Sequence, residues 1–234
     1  MDYAIAMIAC PRECMTTNEA VAQLRVGGFA ETVHVFVEPG TKVKSEKGLI
    51  IHRNKKRLGG QHNWRQALTF MAKELKAENL LMVEDDVEYC KGAHDATALY
   101  FANRNEPYGY LSLHAPVREK AFFAKARGWT PVRPRRIWGT QAIMFSRDTL
   151  ERFVEFPMLK KGVEEPYDYI MQQFYRYNVN NRRCFYHVPS LCNHKGWNET
   201  TLHKAAHLTN TAKNRDQRKG LDYDPNYARP GDKS

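Results

Sequence analysis

The sequence predicts an α/β protein with a mostly parallel central sheet and helices on both faces of that sheet. Two observations support this prediction. Apolar segments typical of strands alternate with segments of helical periodicity over about the first 90 residues, and the chain contains no internal repeat. Because parallel strands need long crossover connections, which are usually helices, this alternation favours a parallel sheet.

The first strand and the first helix are predicted from their apolar patterns and their flanking residues. Tyr3–Ala9 is a continuous apolar segment, and Cys10-Pro11 ends it. Asn18–Arg25 predicts a helix with Asn18 as its N-cap, because its apolar residues share one face. Gly27-Gly28 ends that helix.

The next elements complete the alternation. Val33–Val37 is rich in β-branched and aromatic residues, so it predicts a strand, and Leu49–Ile51 predicts a third, shorter strand. Asn63–Leu75 predicts a helix, since its apolar residues recur at helical spacing after Gly59-Gly60. The apolar segment Leu80–Val83 predicts the fourth strand.

The second half of the chain is less regular. The elements predicted there are helix Asp95–Phe101, strand Tyr110–Leu113, strand Thr140–Ser146, helix Asp148–Phe153, helix Tyr167–Tyr177 and strand Arg183–Val188. Between them, prolines predict a loop over Arg118–Arg136. Residues 1–210 are predicted as one domain, and the polar residues 211–234 as an extended or disordered tail.

The composition excludes several classes of protein. Of the 234 residues, 42% are hydrophobic and 26% are charged, unlike a disordered, collagen-like or disulfide-stabilised chain. The five cysteines form no C-x-x-C pair, no apolar stretch is long enough to span a membrane, and Asp2 replaces a basic signal-peptide start. These features predict a cytoplasmic protein. The net charge of +10 favours anionic partners such as nucleotides or nucleic acid.

Three adjacent acidic residues, Glu84-Asp85-Asp86, follow the predicted strand Leu80–Val83 directly. Buried carboxylates are costly unless they are compensated, and ligands of open α/β sheets bind at the carboxyl ends of the strands. A divalent cation shared by carboxylates and phosphate oxygens would compensate these acids. The acids therefore predict a metal–diphosphate site, with a solvated acidic turn as the alternative.

Several motifs resemble those of the GT-A glycosyltransferase superfamily, over roughly residues 3–200. In the first half these are the strand leading into Cys10-Pro11-Arg12, the strand Val35-Phe36-Val37 ending at Glu38, the Gly-Gly helix and the strand ending in Glu84-Asp85-Asp86. In the second half they are Gly139–Ser146, the acidic segment Glu164–Asp168 and the segment Val188–His194.

The resemblance implies a glycosyltransferase that uses a nucleoside-diphosphate sugar, with a UDP-sugar favoured, and Mn²⁺ or Mg²⁺. It implies Asp86 and His194 as metal ligands. The implied nucleotide contacts are Pro11, Arg12, Glu38, Glu84 and Asp85. Because the motif is Glu-Asp-Asp, which acid takes which role stays open.

The same resemblance implies a general base for the acceptor hydroxyl. Asp168 would be that base, with Glu165 as its substitute, and a positioned base implies inversion at the sugar. Asp168 has the alternative of an ordinary acid at a helix N-terminus. If it does not face the acceptor, a retaining mechanism stays open. His194 has an alternative too, as a zinc ligand together with Cys184, His187 and Cys192.

The segment Arg118–Arg136 is the clue to the acceptor. Its basic residues include Arg118, Lys125, Arg127, Arg133, Arg135 and Arg136, with aromatic residues between them. Basic side chains neutralise phosphates and aromatic rings stack on unstacked bases, so the segment favours DNA carrying a hydroxylated base, as in phage-type DNA modification. The alternatives are a solvated basic loop, an enzyme acting on protein or surface polysaccharide, and a non-catalytic nucleic-acid-binding protein with a degenerate transferase fold.

Overall fold

The computed structural model describes residues 2–12, 15–103, 108–162, 165–177, 183–195 and 220–227. The strands are β1 (Tyr3–Ala9), β2 (Val33–Val37), β3 (Leu49–Arg53), β4 (Asn79–Glu84), β5 (Val87–Tyr89), β6 (Tyr108–Ser112), β7 (Gly128–Val132), β8 (Ala142–Ser146), β9 (Arg183–Val188) and β10 (Cys192–His194). The helices are α1 (Thr17–Val26), α2 (Gly60–Glu74), α3 (Ala93–Ala102), α4 (Lys120–Phe123), α5 (Arg147–Val154), α6 (Pro157–Lys160) and α7 (Tyr167–Tyr177).

Eight strands form one mixed sheet in the order β3-β2-β1-β4-β8-β6-β9-β7, and β10 pairs with β5 in a second sheet. The pairings β3–β2, β2–β1, β1–β4 and β6–β9 are parallel. The pairings of β8 with β4 and β6, and of β7 with β9, are antiparallel. The predicted α/β class with a mostly parallel sheet is confirmed. As a consequence, β1, β2 and β4 all end at the same edge.

The helices cover both faces of the large sheet, as predicted. Side chains of β4 alternate between the two cores: Leu80 and Met82 pack on one face, and Leu81 and Val83 on the other. The first core includes residues of α2, α5 and α7, and the second includes residues of α1 and α3. A strand buried on both faces must be apolar throughout, which explains the continuous apolar segment before the acids.

Helix α1 begins differently from the prediction, because Thr16 and not Asn18 is the N-cap. Thr16 Oγ1 accepts a hydrogen bond from Glu19 N at 3.2 Å, and Thr16 N donates to Glu19 Oε2 at 2.6 Å. This reciprocal capping box satisfies two backbone groups, so it outcompetes a single asparagine two residues later. Asn18 instead bonds to the backbone N and O of Lys44 in the β2–β3 connection.

The basic segment Arg118–Arg136 is not simply the predicted loop, because it contains α4 and the edge strand β7. Pro131 lies within β7, opposite Phe185 of β9. An edge strand pairs on one side only, so it tolerates a proline that a central strand would exclude. The side chain of Arg118 lies outside the described part of the structure.

Residues 220–227, within the polar tail, pack against the domain. Leu221 is buried, its N–H donates to Ala115 O at 2.6 Å, and its carbonyl accepts from Ser190 N at 2.8 Å. Tyr227 O accepts from Gly92 N at 3.0 Å. The polar composition of the tail does not predict this docking.

None of the helices in the described ranges is long and apolar enough to cross a membrane.

Candidate metal and nucleotide site

The candidate site lies where β1, β2 and β4 end. Cys10-Pro11-Arg12 follows β1, Glu38 follows β2, and Glu84-Asp85-Asp86 ends β4 and leads into β5. Because β1, β2 and β4 are parallel, their three following loops lie at one edge of the sheet. Glu38 N donates a hydrogen bond to Ala9 O at 3.0 Å and so joins the ends of β2 and β1. The carboxyl edge of such a sheet is where open α/β proteins bind ligands.

Arg12 joins two of the three acids. Its Nε lies 2.6 Å from Asp85 Oδ1 and its Nη1 lies 2.7 Å from Asp86 Oδ2. Cys10 N also donates to Asp85 Oδ2, at 3.0 Å. The side chains of Arg12, Asp85 and Asp86 are 3%, 2% and 0% exposed. Charges buried so deeply need opposite charges beside them, so Arg12 keeps the acidic turn folded as well as lying at the predicted nucleotide site.

His194 reaches Asp86 because β10 pairs with β5. In that pairing His194 lies opposite Val87, the residue after Asp86. The His194 Nε2 atom is 3.0 Å from Asp86 Oδ2, and Lys195 N donates to Asp86 O at 2.8 Å. The fold thus brings together Asp86 and His194, the two residues that the family resemblance implies as metal ligands.

Glu84 completes a group of three potential ligands. Its Oε1 accepts a hydrogen bond from Thr140 Oγ1 at 2.7 Å. One ligand atom each from Glu84, Asp86 and His194 lie within 4.8 Å of one another. In the described part of the chain this is the single cluster of three or more His, Cys, Asp or Glu residues that could hold a metal ion.

The chemistry of this group fits a divalent cation. Asp86 Oδ1 and His194 Nδ1 are both buried and have no hydrogen-bond partner among the described residues. Buried polar atoms are rarely left unsatisfied, and such atoms point to a missing ion or water. Two carboxylates with one imidazole offer the hard oxygen ligands that suit Mn²⁺ or Mg²⁺, together with a nitrogen ligand.

The charged groups of the site shift one another's pKa values. Burial opposes ionisation of Asp86, but His194 and Arg12 outweigh burial and hold the pKa of Asp86 below its ordinary value. Burial also opposes a charged imidazole, but the Asp86 carboxylate raises the pKa of His194. Burial raises the pKa of Glu84, with the negative charge of Asp86 adding to it, and burial raises the pKa of Asp85 to about 7 against the pull of Arg12.

We expect the affinity for Mn²⁺ to rise with pH. The raised pKa of His194 keeps its imidazole protonated above the ordinary value of about 6.5, and a metal ion must displace that proton. Displacing one proton weakens apparent affinity by up to about tenfold for each pH unit below the raised pKa. In metal-free protein the protonated His194 stabilises the fold below about pH 6.5, and this contribution is lost as pH rises through the raised pKa.

Titration with Mn²⁺ at pH 6, 7 and 8, followed by electron paramagnetic resonance, measures this dependence. His194→Gln should bind Mn²⁺ more weakly and with a flatter pH profile. An affinity of the wild-type protein that does not change over this pH range would contradict His194 as a ligand.

Glu38 and Pro11 lie at the same edge of the sheet, and the family resemblance implies that both contact the nucleotide. The Glu38 side chain is buried, and its Oε2 and Oε1 accept hydrogen bonds from Leu58 N at 2.9 Å and Asn54 Nδ2 at 3.3 Å. Glu38 therefore also holds the loop before α2. Pro11 lies against Gly40, since a Cβ on Gly40 would be 3.5 Å from Pro11 Cγ.

The predicted general base lies in the first turn of α7. Gln61 Nε2 of α2 donates to Glu165 O at 2.7 Å and so docks the start of α7 on the start of α2. Asp168 Oδ1 accepts from Tyr169 N at 2.9 Å. Burial raises the pKa of Tyr186, and the charge of Asp168 adds to that shift. The Glu165 side chain is exposed, and Glu164 lies outside the described residues.

The zinc alternative is wrong for the described residues, because its four side chains do not meet. His187 Nδ1 lies 2.7 Å from Pro189 O, and His194 is bonded to Asp86. Within the described ranges, no cysteine belongs to a group of three or more potential metal ligands. Side chains that alternate along a strand point to opposite faces, which keeps Cys184 and His187 apart.

Sequence reasoning missed two residues of the site. Thr140 orients Glu84 through its hydroxyl group, although the strand segment that contains it is one of the motifs noted above. Tyr167 precedes Asp168, and its ring stacks on Trp64 with 4.2 Å between the ring centroids. Both residues lie within motifs of the family resemblance, and that position was the signal that could have identified them. The local sequence pattern does not indicate which residues Thr140 and Tyr167 contact.

Comparisons with known proteins bear on the fold. No protein-family model and no curated protein matches the sequence. A solved structure from Bacillus anthracis, described as a glucose-1-phosphate thymidylyltransferase, aligns over 83% of this chain and 90% of its own, with a TM-score of 0.53 and 11% identity. TarS from S. aureus, solved with UDP-GlcNAc, aligns over 80% of this chain and 58% of its own, with a TM-score of 0.51 and 14% identity.

A third solved structure is the mannosyltransferase PcManGT from Pyrobaculum calidifontis, in complex with GDP-Man and Mn²⁺. It aligns over 64% of this chain with a TM-score of 0.46 and 15% identity, and this chain spans 46% of its length. The likeness to the first two structures shows a GT-A-like fold, the class that the sequence motifs resemble.

Proposed function

We propose that the protein is a metal-dependent glycosyltransferase that moves a sugar from a nucleoside-diphosphate sugar to an acceptor hydroxyl. The observation that carries this proposal is the group of half-buried Glu84 with buried Asp86 and His194 at the carboxyl edge of the sheet, in which Asp86 Oδ1 and His194 Nδ1 have no partner among the described residues. A divalent metal bound there would neutralise the diphosphate and stabilise it as a leaving group.

The loop after β1 favours glycosyl transfer over nucleotidyl transfer. A triphosphate is commonly cradled by successive backbone N–H groups in a glycine-rich loop. The connection from Cys10 to Thr16 contains no glycine. Its one well-placed cation, Arg12, is committed to Asp85 and Asp86, at 2.6 and 2.7 Å. This loop suits a donor whose diphosphate would be held mainly by a metal ion on the acids at the end of β4.

In the proposed reaction Asp168 accepts the proton of the acceptor hydroxyl. The acceptor oxygen forms a bond to the anomeric carbon as the bond from that carbon to the diphosphate oxygen breaks. The electron pair of the broken bond leaves with the nucleoside diphosphate. A direct displacement of this kind inverts the configuration at the sugar, and Glu165 is the alternative base.

For the acceptor we propose DNA, on the charge of the segment from Lys120 to Arg136. The exposed side chains of Lys125, Arg127, Arg133 and Arg135 have no acidic partner among the described residues. Arg136 pairs with Glu119 at 2.5 Å and lies over the ring of the exposed Phe122, 4.3 Å from its centroid. The chain then runs four residues on to Thr140, which bonds to Glu84.

We expect duplex DNA binding to weaken with salt and to depend on this basic surface. Each phosphate neutralised by a cation contributes about −0.9 to the slope of log affinity against log salt. The double variant Arg133→Ala/Arg135→Ala should make that slope less negative by about 2, as measured by fluorescence anisotropy. The matched control Lys73→Ala/Lys76→Ala removes two exposed charges near the far end of α2 and should leave the slope unchanged. Activity on a small glycan that does not respond to salt would contradict a DNA acceptor and favour the protein or polysaccharide alternative.

A panel of UDP- and GDP-sugars, each with and without Mn²⁺, tests the donor. A ligand present at 100 times its dissociation constant should stabilise the fold by about 2.7 kcal/mol, which is visible as a rise in melting temperature. We expect a shift that needs both Mn²⁺ and one nucleotide.

With acceptor present, release of nucleoside diphosphate indicates glycosyl transfer, whereas release of pyrophosphate from a nucleoside triphosphate indicates nucleotidyl transfer. A protein that responds to no nucleotide but binds DNA would be the non-catalytic alternative.

A further inference from the structure

The hydroxyl group of Tyr167 makes no hydrogen bond to the described residues. Tyr167 is the first residue of α7, and its hydroxyl is buried without a hydrogen-bond partner among the described residues. Leaving a buried polar group unpaired is unfavourable, so an unpaired hydroxyl beside a candidate ligand site points to a partner that arrives with the ligand.

The ring of Tyr167 is held in place. It stacks on the fully buried ring of Trp64 at 4.2 Å between centroids and 16° between planes. The preceding backbone is fixed by the hydrogen bond from Gln61 Nε2 to Glu165 O. The hydroxyl position is therefore set by α2 and α7 and does not depend on a flexible side chain.

Glu84 ends β4 and Glu38 directly follows β2. Phe36 lies two residues before Glu38, and Met82 lies two residues before Glu84. Both belong to the same hydrophobic core as Trp64. Side chains two apart on a strand share a face, so both carboxylates project to the face that α2 and α7 cover. Burial, and then the charges of Glu84 and Glu38, raise the pKa of Tyr167 well above its ordinary value. The hydroxyl therefore stays protonated and can donate.

We propose that Tyr167 donates a hydrogen bond to a ring hydroxyl of the nucleotide sugar and thereby helps to set donor specificity. A sugar hydroxyl both donates and accepts, so it can accept from the phenol and donate to a carboxylate beside it. A phosphate oxygen is a poor alternative, because the carboxylate of Glu38, which lies outside the proposed metal group, would repel its charge. The ring hydroxyl belongs either to the ribose or to the transferred sugar. The proposal rests on the proposed function for its ligand.

Tyr167→Phe tests the proposal, since it removes the hydroxyl and keeps the stacked ring. We expect about tenfold weaker binding of the nucleotide sugar in the presence of Mn²⁺, the effect of one lost hydrogen bond to a buried group. The probes are UDP and UDP-glucose, or the pair from the panel that stabilises the wild-type protein. A loss with both probes assigns the contact to the ribose, and a loss with the nucleotide sugar alone assigns it to the transferred sugar. Either result supports the proposal.

The melting temperature without ligand separates this role from a structural one. Tyr167→Phe should leave it unchanged or raise it, because an unpaired buried hydroxyl is removed. The control is Tyr108→Phe, whose hydroxyl donates to Asn79 Oδ1 at 2.5 Å at the opposite end of β4. This control should lower the melting temperature and leave nucleotide affinity unchanged.

Two results would overturn the proposal for Tyr167 and leave the proposed function intact. One is wild-type affinity of Tyr167→Phe for both probes. The other is a drop in melting temperature as large as that of Tyr108→Phe, which would show that the hydroxyl holds the fold. If the wild-type protein binds no nucleotide sugar, the proposed function itself fails, and this proposal fails with it.

Discussion

Asp86→Asn is expected to abolish measurable sugar transfer and to weaken Mn²⁺ binding by roughly 10²- to 10³-fold, the equivalent of several kcal/mol of charge stabilisation. The carboxylate of Asp86 is the group that the other members of the site share. His194 Nε2 lies 3.0 Å from its Oδ2, Arg12 Nη1 lies 2.7 Å from the same atom, and its Oδ1 is buried without a partner. A neutral amide keeps the shape but removes the charge that a cation needs.

The same substitution should lower the melting temperature, which makes a second variant necessary. Arg12 and His194 would lose their shared buried carboxylate, and breaking a buried ion pair costs up to about 3–5 kcal/mol. His194→Gln removes a proposed metal ligand and leaves both residues of the Arg12–Asp86 pair in place. Asp95→Asn is the matched control, because it removes one negative charge from an exposed side chain of α3.

Isothermal titration with Mn²⁺, together with a transfer assay on the donor found in the panel, measures both effects. Unchanged Mn²⁺ affinity in Asp86→Asn and His194→Gln, with both proteins folded, would show that this group is not the metal site. Loss of affinity in Asp95→Asn as well would indicate a general charge effect.

Asp168→Asn is expected to lower the rate of transfer by about 10²- to 10⁴-fold while donor binding stays intact. The carboxylate lies in the first turn of α7 and outside the candidate metal group of Glu84, Asp86 and His194. An amide cannot accept the acceptor proton, so the loss should fall on the turnover number and not on the melting shift that the donor produces.

Glu165→Gln provides the comparison, because Glu165 is exposed and two residues from the start of the same helix. It should retain most of the wild-type rate. The opposite pattern, with Glu165→Gln inactive and Asp168→Asn active, would exchange the two roles. If both variants are active, the base is neither residue, and the anomeric configuration of the product, read by NMR, would decide between inversion and retention.

Local pattern predicts most of this fold, because strands and helices are largely specified by neighbouring residues. Tyr3–Ala9, Tyr167–Tyr177 and Arg183–Val188 have the predicted bounds. The predictions that differ are those in which two local signals compete. Thr16 with Glu19 outcompetes Asn18 as the cap of α1, and Pro131 lies in a strand because β7 is at the edge of the sheet.

The sequence by itself determined the chemistry available at the carboxyl edge, since the acids that end β4 follow directly from an apolar strand. Only the tertiary structure decided which groups meet there. His194 lies 108 residues from Asp86, and β10 reaches it by pairing with β5. Arg12 is bound to two acids, and Tyr167 is placed by its stacking on Trp64. Such contacts depend on how distant elements pack, and no local pattern of residues encodes them.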